Sequence, residues 1–255
     1  MYRFLIRIIR QTVLRFNLQH EFSWEHATVD FEGGAISAFR DSIGFVELHG
    51  CHFHFCQAIF RHLTVLGLKR EYMDSQFSGF SIFVRSVFAL AFLPMERIRE
   101  TFEALLVRLD EDYEDAGRES PQGLVEFIVY IHRTWLGDNP KYSKELWNVG
   151  NLGDRRTNNY VEGWHSACLR HFGVGTNLWK FIHQLQKLEI QNRATLQLHE
   201  AGENLSNRTA RQKRKEHKIE TILYRYNRGG YRTDLSFIRA LAYLQADFID
   251  EEENI

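Results

Sequence analysis

Two short segments in the first third of the chain carry side chains that could bind metal ions. Asp30 follows a short apolar segment typical of a β-strand that ends at a carboxylate. Cys51 and His54, spaced as Cys-x2-His, follow a second strand-like segment at 45–49. Because ligands tend to bind at the carboxyl ends of strands in α/β sheets, the two segments are candidates for one site.

Asp30 supports two interpretations. Its carboxylate could bind Mg²⁺ or Mn²⁺, since such hard cations prefer a few oxygen ligands and keep their remaining waters. It could instead cap the helix predicted over 31–39, because Asp is a favoured residue at helix starts. Glu32 competes for the same role, but its position two residues further on is expected to direct it away from Asp30.

Cys51 and His54 form half of a zinc site, because a thiolate and an imidazole on one turn suit tetrahedral coordination. A second pair of ligands is required for a complete site. The sequence offers His165 with Cys168, and also His132 or His171. The alternative is a buried cysteine beside a hydrogen-bonded histidine.

Glu162 is the second candidate carboxylate, one turn into a predicted helix. Arg155 and Arg156 precede that helix, and Asn158 and Asn159 are suitable N-cap residues. Arginines beside a carboxylate near a helix N-terminus make a place where phosphate and metal could meet. The alternative is a surface glutamate that the helix dipole stabilises.

Residues 208–218 hold six basic residues and one acidic residue. Most such runs are solvated helix faces, but Arg211, Lys213 and Arg214 could contact a DNA backbone through its phosphates. Three tyrosines that alternate with arginines follow and could add base stacking: Tyr224, Tyr226 and Tyr231.

Composition limits the class of protein. The chain has 255 residues, 44% of them hydrophobic, which is enough for a large core. A net charge of −1 gives no overall basic field for nucleic acid, and three cysteines do not make a disulfide framework. Since no apolar run reaches about 18 residues, we predict no membrane span.

Residues 1–20 contain four arginines and no acid. This pattern fits a mitochondrial transit peptide. It also fits an ordinary amphipathic helix, which we prefer. In that case five apolar side chains are expected to face a core: Leu5, Ile6, Ile9, Val13 and Phe16.

The order strand, helix, strand, helix over the first 72 residues predicts an α/β fold. Helical periodicity dominates from 76 to 136, so 73–145 are interpreted as an all-helical insertion. Residues 146–200 are interpreted as the C-terminal part of the α/β core, which carries Glu162, and 201–255 are predicted to be a basic linker and a C-terminal helix.

Taken together, two segments resemble the Mutator-like element (MULE) transposases. Residues 28–72 resemble that family's stretch from the second catalytic Asp through its Cys-x2-His motif, and 156–189 resemble its later segment with the third acidic residue. The resemblance implies a partial RNase H-like core with a helical insertion, two Mg²⁺ or Mn²⁺ ions, and DNA strand transfer at transposon ends. It also implies a nuclear location and possible self-association.

Residue by residue, the resemblance makes Asp30 the second acid and Glu162 the third. Cys51 and His54 match the family's Cys/His pair. Four further residues belong to the motif around Glu162: Asn158, Asn159, Trp164 and His165.

The family's first catalytic Asp lies on a strand well upstream, whereas residues 1–29 contain no Asp. The sequence therefore predicts an N-terminally truncated core with severely impaired strand cleavage, since two-metal phosphoryl transfer needs the full set of acids. Two alternatives are a non-catalytic DNA- or protein-binding module and a zinc-stabilised structural domain.

Overall fold

A computed structural model describes residues 1–17, 25–44, 46–157, 168–170, 172–173, 175–202 and 210–245. These residues are mostly helical, with a small two-stranded parallel sheet. The strands are β1 (His26–Val29) and β2 (Glu47–Gly50). The helices are α1 (Tyr2–Arg15), α2 (Gly33–Ser42), α3 (His52–Val65), α4 (Lys69–Tyr72), α5 (Gly79–Ala89), α6 (Ile98–Asp115), α7 (Leu124–Ile131), α8 (Lys144–Trp147), α9 (Leu178–Glu200), α10 (Ala210–Asn227) and α11 (Asp234–Leu244).

The sheet separates an apolar face from a polar one. β1 and β2 pair in register, with His26 opposite Glu47 and Val29 opposite Gly50. Because side chains alternate along a strand, Val29 lies on one face, where it packs in a cluster with Ile36. His26 and Glu47 lie on the opposite face.

The predicted order of strand, helix, strand and helix is confirmed at β1, α2, β2 and α3. The α/β class holds only in a coarse sense, since the sheet is small and helices make up most of the described residues. Within the predicted insertion, the helical segment before Pro94 consists of α5 and a 3-10 turn over Leu90–Phe92. The acidic stretch 110–115 forms the end of α6.

The largest apolar cluster extends from Phe55 of α3 to Leu152 and includes the last described helix, α11. α5 is buried along nearly its whole length and packs against α6 and α11. The same cluster contains Phe55 of α3 and Phe237 of α11. The predicted helical insertion therefore shares its core with α3. By its internal contacts the chain divides into two compact units, Met1–Thr157 with His217–Ile255, and Asn158–Glu216.

In the C-terminal segment, the described basic residues from Arg211 to Lys218 lie on α10, which begins at Ala210, and α11 belongs to the core. The start of α11 is fixed by a capping box between Thr233 and Ser236. Asp234 also accepts hydrogen bonds from Arg97 Nε and from Tyr226 Oη, both at 2.8 Å.

Helix α1 forms as predicted, but the expectation that its five apolar side chains face a core is wrong. Ile6 alone of the five is buried, in a small cluster with Ala38 and Ile43 of the α2 region. Leu5 and Phe16 are 46% and 62% exposed. The periodicity was correct, but only one edge of the helix lies against α2. In the described part of the chain, no helix has the length and apolar character needed to cross a membrane.

Candidate functional site

The ends of β1 and β2 bring Asp30 and His54 together. Asp30 follows β1 directly, and the Cys51 amide donates a hydrogen bond to Val29 O at 2.8 Å, which extends the pairing of the strands by one residue. Cys51 has an extended backbone and is the N-cap of α3, so His54 lies in the first helical turn. His54 Nδ1 lies 3.0 Å from Asp30 Oδ1.

A glycine makes room for the segment that carries Asp30. A Cβ built on Gly50 would lie 2.3 Å from Cζ of the Phe31 ring. That ring packs edge-on against Trp135 and Tyr142, with centroids 4.9 and 5.0 Å away. Tyr142 Oη also donates a hydrogen bond to Phe31 O at 2.6 Å. The residue after Asp30 is therefore held on both its backbone and its side chain.

The interpretation of Asp30 as a helix cap is wrong. The N-cap of α2 is Glu32, and no side chain makes a capping hydrogen bond there. Glu32 instead accepts a hydrogen bond from Tyr2 Oη at 2.6 Å. The Asp30 side chain is 52% exposed, so its carboxylate contacts His54 and remains open to solvent.

Cys51 is fully buried, which fits the alternative of a buried cysteine. One group of histidine, cysteine and acidic side chains among the described residues is close enough to share a metal ion. Neither Cys51 nor His54 belongs to it. His165 and His171, two candidates for the missing ligands, lie outside the described residues. In the part of the chain that the structure describes, no third zinc ligand is therefore found for Cys51 and His54.

The two arginines before the Glu162 segment have different environments. Thr28 Oγ1 donates a hydrogen bond to Arg155 O at 3.0 Å, which holds the 3-10 turn Gly153–Arg156 beside β1. Arg155 is exposed, whereas Arg156 is 6% exposed and its guanidinium lies over Phe92. Arg155 is therefore available to an anion near the sheet, and Arg156 is part of the packing. Five predicted residues lie outside the described part: Glu162, Asn158, Asn159, Trp164 and His165.

The polar face of the sheet holds a group that the sequence analysis missed. His26 Nδ1 lies 3.0 Å from Glu47 Oε2, and His49 Nε2 lies 3.2 Å from Glu47 Oε1. Burial lowers the pKa of His49, although the Glu47 charge acts in the opposite direction. The sequence signal for this group was the alternation of polar residues, at 26 and 28 and again at 47 and 49. Which residues face each other depends on the register of the sheet.

The basic segment keeps its exposed cations but loses most of its predicted stacking surface. Arg211, Lys213 and Arg214 are exposed on α10. Tyr226 and Tyr231 are half-buried against Phe237, which leaves less of their rings open to bases. Their hydrophobic rings close the core beside α11. Tyr224 remains exposed, with the Arg228 guanidinium 4.8 Å from its ring centroid.

Comparison of the chain with protein-family models, curated proteins and solved structures found no match.

Proposed function

We propose that this chain is a MULE transposase-like protein with a partial RNase H-like core, related to enzymes that cut and join DNA strands with divalent metal ions. The observation that carries the proposal is the contact between Asp30 and His54 at the ends of two parallel strands. These are the residues that match the family's second acid and its Cys-x2-His motif. The other support is the resemblance of the two sequence segments.

The chemistry of Asp30 suits this role. Its carboxylate is exposed, and its oxygens are the ligand type that Mg²⁺ and Mn²⁺ prefer. The His54 contact would hold the carboxylate in one orientation, as partners of metal ligands commonly do. Arg155 lies exposed on the turn beside β1, where it could meet a DNA phosphate. Glu162 would supply the further acid.

Strand cleavage tests this proposal. We expect the chain alone to nick supercoiled DNA only at background level with Mg²⁺ or Mn²⁺, because residues 1–29 hold no Asp that could serve as the first acid. A chain extended by residues encoded upstream in frame, if they supply that acid, should nick. Asp30→Asn or Glu162→Gln in the extended chain should slow nicking by about 100-fold or more, since even outer-shell changes at metal sites cost 10–100-fold.

The matched control is Glu32→Gln, which neutralises an exposed carboxylate two residues from Asp30. This variant should nick at the rate of the extended parent chain. The proposal is contradicted if nicking survives both Asp30→Asn and Glu162→Gln, or if the extended chain with three acids binds DNA but does not cut it.

A non-catalytic DNA-binding module is the second candidate, and the exposed cations of α10 favour it. In that case, replacing Arg211, Lys213 and Arg214 by Gln should weaken duplex binding. The slope of log K against log salt should become shallower by up to about 2.7, because each phosphate contact contributes about 0.9. Fluorescence anisotropy with a labelled duplex at several salt concentrations measures both quantities.

An equal change of charge elsewhere provides the control. Arg61, Arg70 and Arg239 are also exposed, and their replacement by Gln should leave the slope nearly unchanged. Binding should also survive Asp30→Asn. A loss of binding that is the same for both triple variants would mean that α10 has no special role.

A further inference from the structure

The polar face of the parallel sheet presents three potential metal ligands to one point. His26 of β1 and Glu47 of β2 are in-register partners, and His49 lies two residues beyond Glu47 on the same face. One ligand atom from each of the three side chains lies within 4.8 Å of the other two. This group is separate from Asp30 and His54.

From this geometry we propose that His26, Glu47 and His49 bind one divalent transition-metal ion of the Zn²⁺ type. Two imidazoles and one carboxylate are a ligand set that proteins use for zinc and for non-haem iron. Mg²⁺ and Ca²⁺ fit less well, because they prefer oxygen ligands. The inference does not depend on the transposase-like function.

The distances suit such an ion. A tetrahedral zinc with bonds of about 2.1 Å places its ligand atoms about 3.4 Å apart. The two contacts of Glu47, at 3.0 and 3.2 Å, are already close to that spacing. The two contacts involve different oxygens of Glu47, so binding one ion would require rotation of the side chains about the paired strands.

His49 supplies the independent observation that points to a ligand. It is 7% exposed, and neither of its ring nitrogens has a hydrogen-bond partner among the described residues. Its Nε2 approaches Glu47 at 3.2 Å without hydrogen-bond geometry. Buried polar atoms in native proteins are nearly always paired, and an unpaired one calls for an explanation such as an ion. Coordination through Nε2 would satisfy this atom.

The exposure of the other two ligands gives the ion a route in. The side chains of His26 and Glu47 are 31% and 59% exposed, so solvent reaches the site from one side and can fill the remaining coordination positions. An ion held by one ligand from β1 and two from β2 would cross-link the strands. It would stabilise the sheet, because metal binding to a folded site contributes to folding.

Arg155 is a positive group that acts against the ion. The Arg155 carbonyl oxygen accepts a hydrogen bond from Thr28, which lies on the same face of the sheet as His26. Besides burial, the positive charge of Arg155 lowers the pKa of His49. We expect Arg155→Gln to strengthen Zn²⁺ binding by about two- to fivefold, the effect of one exposed charge.

The test is metal titration of chelator-stripped protein. Calorimetry with Zn²⁺ should show one ion per chain, and Glu47→Gln or His26→Gln should weaken binding by at least about tenfold, since even outer-shell changes cost 10–100-fold. The matched control is His217→Gln, an exposed histidine outside the site, which should bind as the parent does. Zn²⁺ should raise the melting temperature of the parent and the control but not of Glu47→Gln.

Co²⁺ distinguishes the ligands by spectroscopy. Nitrogen and oxygen ligands should give d–d bands without a thiolate charge-transfer band, and a thiolate band would overturn the proposal in favour of a cysteine site. It would also be overturned if Glu47→Gln and His26→Gln bind Zn²⁺ as the parent does, if His217→Gln loses as much affinity as they do, or if the stripped protein binds no Zn²⁺.

Discussion

Phe237→Ala should lower the free energy of unfolding by about 3–5 kcal/mol, the usual cost of removing a buried phenylalanine ring. The side chain is fully buried in α11, and its ring stacks on Tyr226 with centroids 4.0 Å apart. Tyr231 packs edge-on from another side, at 5.7 Å. Since α11 packs along α5, the cavity would open in the centre of the first unit. Urea denaturation measures the loss, as a lower midpoint at unchanged slope.

The same change has a spectroscopic signature in a neighbouring residue. Burial, together with the hydrogen bond to Asp234, raises the pKa of Tyr226 to about 12. If the cavity admits water, that pKa should fall toward its ordinary value, and phenolate absorbance should develop earlier in an alkaline titration. Tyr243→Ala is the control, because Tyr243 lies on the same helix but is 58% exposed. A comparable loss of stability in the two variants would refute the central position of Phe237.

Gly50→Ala should cost about 3 kcal/mol, near the upper end of the range for overpacking a filled site. The new Cβ would meet the Phe31 ring, which cannot move freely because Trp135 and Tyr142 lie against it. Phe31→Ala removes the ring and leaves space for the added methyl group. In a double-mutant cycle, the pair should therefore cost about 1–2 kcal/mol less than the sum of the single changes.

Gly33→Ala is the matched control for this cycle. It adds the same methyl group to a glycine that has no atom within 4 Å of the built Cβ. This change should be neutral or stabilise the protein by up to about 1 kcal/mol, because alanine restricts the unfolded chain. If the costs of Gly50→Ala and Phe31→Ala were additive, the added methyl group would not clash with the Phe31 ring, and the close contact between the ring and Gly50 would be refuted.

The elements could be predicted where local chemistry decides them. Apolar spacing and a following proline define the helical segment before Pro94, and short apolar segments ending at Asp30 and Gly50 define the strands. The expectation that Asp30 and the Cys-x2-His turn belong to one site follows from the order of these elements. The 3.0 Å contact between Asp30 and His54 agrees with it.

Properties that depend on long-range packing could not be predicted. Periodicity shows that α1 has an apolar face, but not that α2 covers only the part around Ile6. Tyr226 and Tyr231 alternate with arginines as a nucleic-acid surface would, yet both rings pack against Phe237. Whether His26 and Glu47 face each other depends on the register of the strands, because a shift of one residue would move one of them to the opposite face of the sheet.

The position of α11 against α5 also bears on how the protein is made. More than half of the chain separates these two helices in sequence. On a ribosome, the apolar surface of α5 emerges long before its partner and must wait for the residues up to Leu244. Apolar surface that stays exposed while a chain is being made is prone to aggregation. We therefore expect the side of α5 that faces α11 to be a place where a chaperone binds the growing chain.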